Sequence, residues 1–140
     1  MESAFRKLKG LRILVAEDEM LVLMELEDML RELGCEVVGP VSTVAAALTA
    51  IEESGLDGAL LDMNLHGEQI LPAVEKLQAQ SIPFLLVTGY AGSNGDEPAL
   101  RHAPRLTKPF SLQGLGAAMT ETFVRPLERS SDRTVLAQDK

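Results

Sequence analysis

Glu17, Asp18, Asp62, Thr88 and Lys108 each stand within two residues of the end of a short apolar run. Leu11-Arg12-Ile13-Leu14-Val15-Ala16 leads into Glu17-Asp18, Gly58-Ala59-Leu60-Leu61 into Asp62, Phe84-Leu85-Leu86-Val87 into Thr88, and the residues around Leu106 into Lys108-Pro109. A carboxylate ending a core strand costs free energy unless something pairs with it. Three carboxylates brought together would repel one another and raise their own pKa values. A hard divalent cation relieves that repulsion, and Mg²⁺ favours a few carboxylates completed by water and phosphate oxygens. Such a site would hold the metal through Asp18 and Asp62, with the backbone carbonyl of Asn64 in reach as a third ligand. Lys108 would supply a mobile point charge to one phosphoryl oxygen and Thr88 a hydrogen bond to another. Asp62 would then be a carboxylate nucleophile toward phosphorus.

The elements that must position these residues alternate. A strand over Leu11–Ala16 precedes a helix carrying Val22, Leu23, Leu26, Met29, Leu30 and Leu33, with Gly34 as its C′ stop. A second strand runs from Cys35 to Gly39, bounded by Gly39-Pro40. Ser42 then caps a helix whose apolar side includes Val44, Leu48 and Ile51, with Gly55 past its end. Asp57 to Leu61 forms the third strand. A helix follows over Glu68 to Gln80, with Ile70, Leu71, Val74 and Leu77 on one side and Pro72 tolerated in its first turn. Phe84–Val87 is the fourth strand and the neighbourhood of Leu106 a short fifth. Ser111 caps a last helix using Leu112, Leu115, Met119 and Phe123.

Five alternations of this kind predict a doubly wound parallel sheet with helices on both faces, an α/β architecture. Ligands bind outside the carboxyl ends of the strands in such sheets. The chemically capable residues all fall on that rim, and the opposite strand ends hold nothing comparable. Between Tyr90 and Pro104 the glycine- and proline-rich GYAGSNGDEPALRHAP breaks the rhythm, leaving room for one weak helical turn near Pro98 to His102. Residues 1–10 read as an N-terminal extension, 11–124 as the one domain, and 125–140 as a flexible polar tail.

The formal net charge of −8 argues against nucleic-acid binding, since phosphate backbones select basic faces. No apolar stretch is long enough to span a membrane. A single cysteine, Cys35, cannot form an internal disulfide, which suits a reducing cytoplasm, and its place beside Gly34 in an apolar run suits a small buried residue.

The combination of Glu17-Asp18, Asp62, Thr88 and Lys108-Pro109-Phe110 over about Leu11 to Phe123 resembles the receiver domain of bacterial response regulators. The resemblance implies a flavodoxin-like five-stranded sheet in the order 2-1-3-4-5. It makes Asp62 the phosphoacceptor, Asp18 a metal ligand, Glu17 a water-mediated or secondary ligand, and Thr88 and Lys108 the sensors of the phosphoryl group. It implies Mg²⁺ as cofactor, a sensor histidine kinase as phosphoryl donor, and a cis Lys108-Pro109 peptide. Pro83-Phe84-Leu85-Leu86-Val87-Thr88-Gly89-Tyr90 is similar to the signature of a stand-alone subgroup with a weak or missing fourth helix and a distinct kinase branch. Two departures stand out: His66 and Gly67 arrive early after Asp62, and Arg105 occupies the position usually held by an aromatic switch. Tyr90, beside Thr88, is then the candidate switch, with Gly89 to Pro104 expected to reorganise on phosphorylation. With no effector domain in the sequence, output would be contact with an unknown downstream protein, or none if the domain acts as a phosphate sink.

Blander readings stand beside these. Asp62 could merely cap a turn, acids such as Glu17-Asp18 favour helix N-termini, and Thr88 alone is a common turn residue. His66 and His102 read as surface residues. Met20, Met24 and Met29 read as core and helix surface rather than a partner groove. Among enzymes, a phosphohydrolase of the haloacid dehalogenase type uses a similar set. Its nucleophile ends the first strand, however, with an acid two residues on, whereas here Asp62 ends the third and is followed by Asn64, which cannot shuttle a proton.

Overall fold

A computed structural model describes residues 5–89 and 98–124 of the chain. Five parallel strands form the central sheet: β1 (Arg12–Ala16), β2 (Glu36–Val41), β3 (Gly58–Asp62), β6 (Phe84–Thr88) and β7 (Arg105–Thr107). Their order is β2-β1-β3-β6-β7, the flavodoxin-like 2-1-3-4-5 arrangement when only these five are counted. Strands β4 (Asn64–Leu65) and β5 (Glu68–Gln69) make a separate antiparallel hairpin. The helices are α1 (Met20–Glu32), α2 (Val44–Glu53), α3 (Leu71–Ala79) and α4 (Leu112–Met119), the last continuing as a π-helical turn over Thr120–Val124. Among the described residues between β6 and β7, a single 3₁₀ turn at Pro98–Leu100 takes the place of a helix. No helix of the described residues is long and apolar enough to cross a membrane.

Alternation along the strands divides the core in two. Leu14, Ala59, Leu61 and Leu86 pack against α2 and α3, while Ile13, Val15, Leu60, Leu85 and Val87 pack against α1 and α4. Each fully buried Leu or Ile contributes about 1.5–3 kcal/mol relative to exposure. Several such side chains together outweigh a few kcal/mol of charge repulsion at the rim, so packing sets where the strands lie and the rim charges must accept it. Gly58 begins β3 because the ring of Phe123 would lie only 2.9 Å from a Cβ there. Helix α1 ends as expected, with Gly34 at φ +87 past the last turn.

Three local expectations are corrected. Strand β2 does not stop at Gly39 but runs to Val41 through a cis Gly39-Pro40 peptide. It lies at the sheet edge, where a residue lacking an N–H is tolerated. The cap of α2 is Thr43, whose Oγ1 accepts from the Ala46 N–H at 3.1 Å, rather than Ser42. Helix α3 begins at Leu71, because Glu68 and Gln69 pair with Asn64 and Leu65 across a two-residue loop. His66 and Gly67 in that loop have φ of 49 and 82, the positive pair that a tight type I′ hairpin turn requires. Met20, Leu21 and Met24 on the first turns of α1 are each more than half exposed, while Met29 packs into the core.

Candidate functional site

Strand register assembles the site. Ala16 pairs with Leu61, so the next residues, Glu17 and Asp62, fall side by side at the carboxyl ends of β1 and β3. Asp62 pairs with Val87, which puts Thr88 one step further along β6. Thr88 pairs with Thr107, and the Lys108 N–H donates to the Thr88 carbonyl at 2.8 Å, extending the ladder by one residue. Lateral steps of roughly 4.8 Å between strands bring all of these within one cluster. The Lys108-Pro109 peptide is cis, as the resemblance implies.

Glu17, Asp18 and Asp62 each present a carboxylate oxygen within 4.8 Å of the others. Glu17 is completely buried. Its Oε2 accepts the Glu19 N–H at 3.0 Å. Its Oε1 is buried with no hydrogen bond, and Lys108 Nζ stands 3.5 Å away. Asp18 Oδ2 accepts the His66 N–H at 2.8 Å, with His66 Nδ1 at 3.8 Å from the same oxygen. That main-chain donor holds the Asp18 carboxyl below its ordinary range, against the opposing effect of desolvation. Lys108 is pulled both ways: burial disfavours its charge, but Asp62, Glu17 and Glu19 outweigh burial and raise its pKa.

The donor set suits a hard divalent cation. Mg²⁺ takes oxygen ligands and keeps several waters, and a buried carboxylate oxygen lacking a hydrogen bond is a group that such an ion would satisfy. Glu17, Asp18 and Asp62 come together as the sequence suggests, with Asn64 following in β4 and Thr88 and Lys108 on the same rim. Tyr90 lies outside the described residues, as do 91–97 of the segment expected to reorganise with it, the first four residues of the N-terminal extension, and the 125–140 tail. Arg105 donates to the Leu100 carbonyl at 2.6 Å, tying β7 to the 3₁₀ turn rather than acting as an aromatic would. Two contributors escaped the sequence reading. His66 acts through its main-chain N–H, which no side-chain pattern reveals. Glu19 was visible as the third acid of Glu17-Asp18-Glu19, but an acid at a helix start looks ordinary. Its Oε1 accepts from Lys108 Nζ at 3.4 Å.

A flavodoxin-like sheet that gathers an acidic cluster and a lysine at its carboxyl edge defines a class of α/β domains whose ligand site lies at the strand ends. Residues 13–120 match the family model described as the response regulator receiver domain, and the chain belongs to that family, the receivers of two-component systems. It is 32% identical over 116 residues to the phyllosphere-induced regulator PhyR of Methylorubrum extorquens, an alignment covering 79% of this chain and 43% of that protein. The solution structure of SdrG from Sphingomonas melonis is 42% identical, with a TM-score of 0.72 and coverage of 79% of this chain and 94% of that one. The receiver domain of a sensor histidine kinase from Pseudomonas aeruginosa, whose structure holds a magnesium ion in the active-site cleft, is 26% identical with a TM-score of 0.71, covering 80% and 96%. The chain spans about half the length of the curated relatives it matches.

Proposed function

We propose that this domain accepts a phosphoryl group on Asp62 from a phosphohistidine of a sensor histidine kinase, and that the modified rim changes which protein the domain contacts. The observation that carries this reading is the convergence of Glu17, Asp18 and Asp62 within 4.8 Å at the strand ends. Glu17, Asp18, Asp62 and the Asn64 carbonyl would hold Mg²⁺, and the magnesium in the related Pseudomonas receiver supports that assignment. Bound there, the ion would offset the charge of the carboxylates and of the incoming phosphoryl oxygens.

An Asp62 carboxylate oxygen attacks phosphorus in line. The new O–P bond forms as the N–P bond breaks, and the imidazole of the donor keeps the electron pair. Lys108 donates to one phosphoryl oxygen and Thr88 to another, so charge developing on the group meets donors already in place. Thr88 is also the link outward, since it sits on β6 next to the register position of β7. The output is a protein contact, or the domain drains phosphate from a shared kinase. Incubation with acetyl phosphate and Mg²⁺ followed by intact mass tests the reading. One phosphoryl group, a gain of about 80 Da, is expected for a single carboxylate nucleophile, and no gain under any Mg²⁺ concentration would reject it.

A further inference from the structure

Glu19 has no part in the transfer just described. It is the N-cap residue of α1, yet its side chain makes no capping hydrogen bond, unlike Thr43 and Ser111 at the starts of α2 and α4. The short caps Ser, Thr, Asp and Asn accept from the first-turn amides, a role the longer Glu19 does not take. Its carboxylate is directed at Lys108 instead, with Oε1 at 3.4 Å from Nζ. The ammonium therefore faces Glu19 at 3.4 Å and Glu17 at 3.5 Å, with the Asp62 carboxylate also acting on its charge. The two differ in freedom: Glu17 is fully buried, whereas the Glu19 side chain is 66% exposed.

We propose that Glu19 is a positioning residue that tethers Lys108 in the unphosphorylated protein and competes with the phosphoryl group for its ammonium. The inference rests on the reading of Asp62 as phosphoacceptor. For Nζ to serve a phosphoryl oxygen on Asp62, it must loosen its contact with Glu19. Glu17 stays where packing holds it, so the exchange falls on Glu19, which can turn into solvent. Only non-covalent partners change. In the chemical step with acetyl phosphate, the Asp62 O–P bond forms as the acetyl O–P bond breaks, and acetate leaves with the electron pair. An ion pair this exposed is weak, so releasing it should alter affinity by about two- to fivefold.

Glu19→Gln tests this in the full chain. It keeps the size of the side chain and the main-chain N–H that Glu17 Oε2 accepts. With Mg²⁺ present, the variant should bind beryllofluoride, a mimic of the phosphoryl group, about two- to fivefold more tightly than the parent. Glu19→Asp, shorter by one methylene, should give a smaller rise. In a Lys108→Ala background the Gln substitution should give none. A purely structural role would lower the thermal midpoint without tightening the ligand. Equal affinity in parent and Glu19→Gln would overturn the tether. So would an undiminished rise without Lys108, which would assign the effect to direct repulsion of the anion. A parent that takes no phosphoryl group from acetyl phosphate rejects the underlying reading and this inference with it. A parent that does, but is indifferent to Glu19→Gln, rejects this inference alone.

Discussion

The two ends of the central sheet carry charge in opposite ways. At the amino end, Arg12 is matched on every side. Its main-chain N–H donates to Asp57 Oδ2 at 2.8 Å and its Nε to the Gly55 carbonyl at 2.7 Å, and its guanidinium pairs with Glu36. At the carboxyl end, Glu17, Asp18 and Asp62 cluster, and Glu17, Asp62 and Glu19 act on the charge of Lys108. The sequence suggested that the amino end held nothing comparable, but it holds a charged cluster too. What differs is that at the amino end one cation meets two carboxylates, each hydrogen-bonded to Arg12, and ties β1 to its neighbours. The carboxyl cluster sets one cation against four carboxylates, a larger surplus of negative charge that suits a bound cation. Charge tied up in hydrogen bonds between strands makes structure, and a larger unpaired surplus at the strand ends marks a candidate site.

The sharpest way to break the contrast is at Asp62. Asp62→Asn should abolish the gain of about 80 Da with acetyl phosphate, as the proposal of a single carboxylate nucleophile requires. Label persisting on that variant would move the site elsewhere. Next comes the cation. At a Mg²⁺ concentration ten times its dissociation constant, mass action adds about 1.4 kcal/mol to the folded state, a rise of roughly 5 °C in thermal midpoint. Asp18→Ala should lose most of that rise, and chelation should reverse it in the parent. A variant that responds like the parent would take Asp18 out of the ligand set.

At the other end the expectation is reversed. Arg12→Ala should cost about 1–2 kcal/mol of stability through its lost hydrogen bonds and ion pair, measured by urea titration, while leaving the Mg²⁺ response and the mass gain intact. A change in phosphoryl acceptance would show that the ends are coupled.

The smallest effect concerns Cys35, just before β2 at the amino end. It is buried, its Sγ donates to the Leu8 carbonyl at 3.4 Å, and burial pushes the thiol up to about 11. Its folded pKa is raised above the ordinary value near 9, so the stabilising contribution is complete below that value and lost as pH climbs toward 11. By pH 9.5 the loss should be under about 1 kcal/mol, and Cys35→Ala should show a flatter decline in urea midpoint between pH 8 and 9.5 than the parent.

Much of this was legible because the carboxyl rim is written locally. The apolar runs of β3 and β6 give way to a polar residue at the strand end, and β7 is followed at once by Lys108, so Asp62, Thr88 and Lys108 could be placed on the rim from strand boundaries. The start of α3 was misplaced because Glu68 and Gln69 have no strand preference of their own. Their pairing depends on His66 and Gly67 adopting positive φ, a backbone property. Ser42 and Thr43 are chemically equivalent caps, and the choice turns on which frame buries Val44, Ala47 and Ile51. β2 passes through Pro40 because it is an edge strand, a fact of sheet order rather than of composition. Glu19 and the His66 N–H act across long sequence separations, where local pattern carries no information.

The exposed Met20, Leu21 and Met24 at the start of α1 have a consequence for how the protein behaves in bulk. An apolar stripe on a small domain is adhesive, and a net charge of −8 opposes the approach of two copies. That repulsion reaches about 30 Å at 0.01 M salt but only about 3 Å at 1 M. Colloidal behaviour is therefore governed by ionic strength: concentrated solutions should be clear and repulsive at low salt, and should turn attractive, scattering more light per molecule, as salt rises.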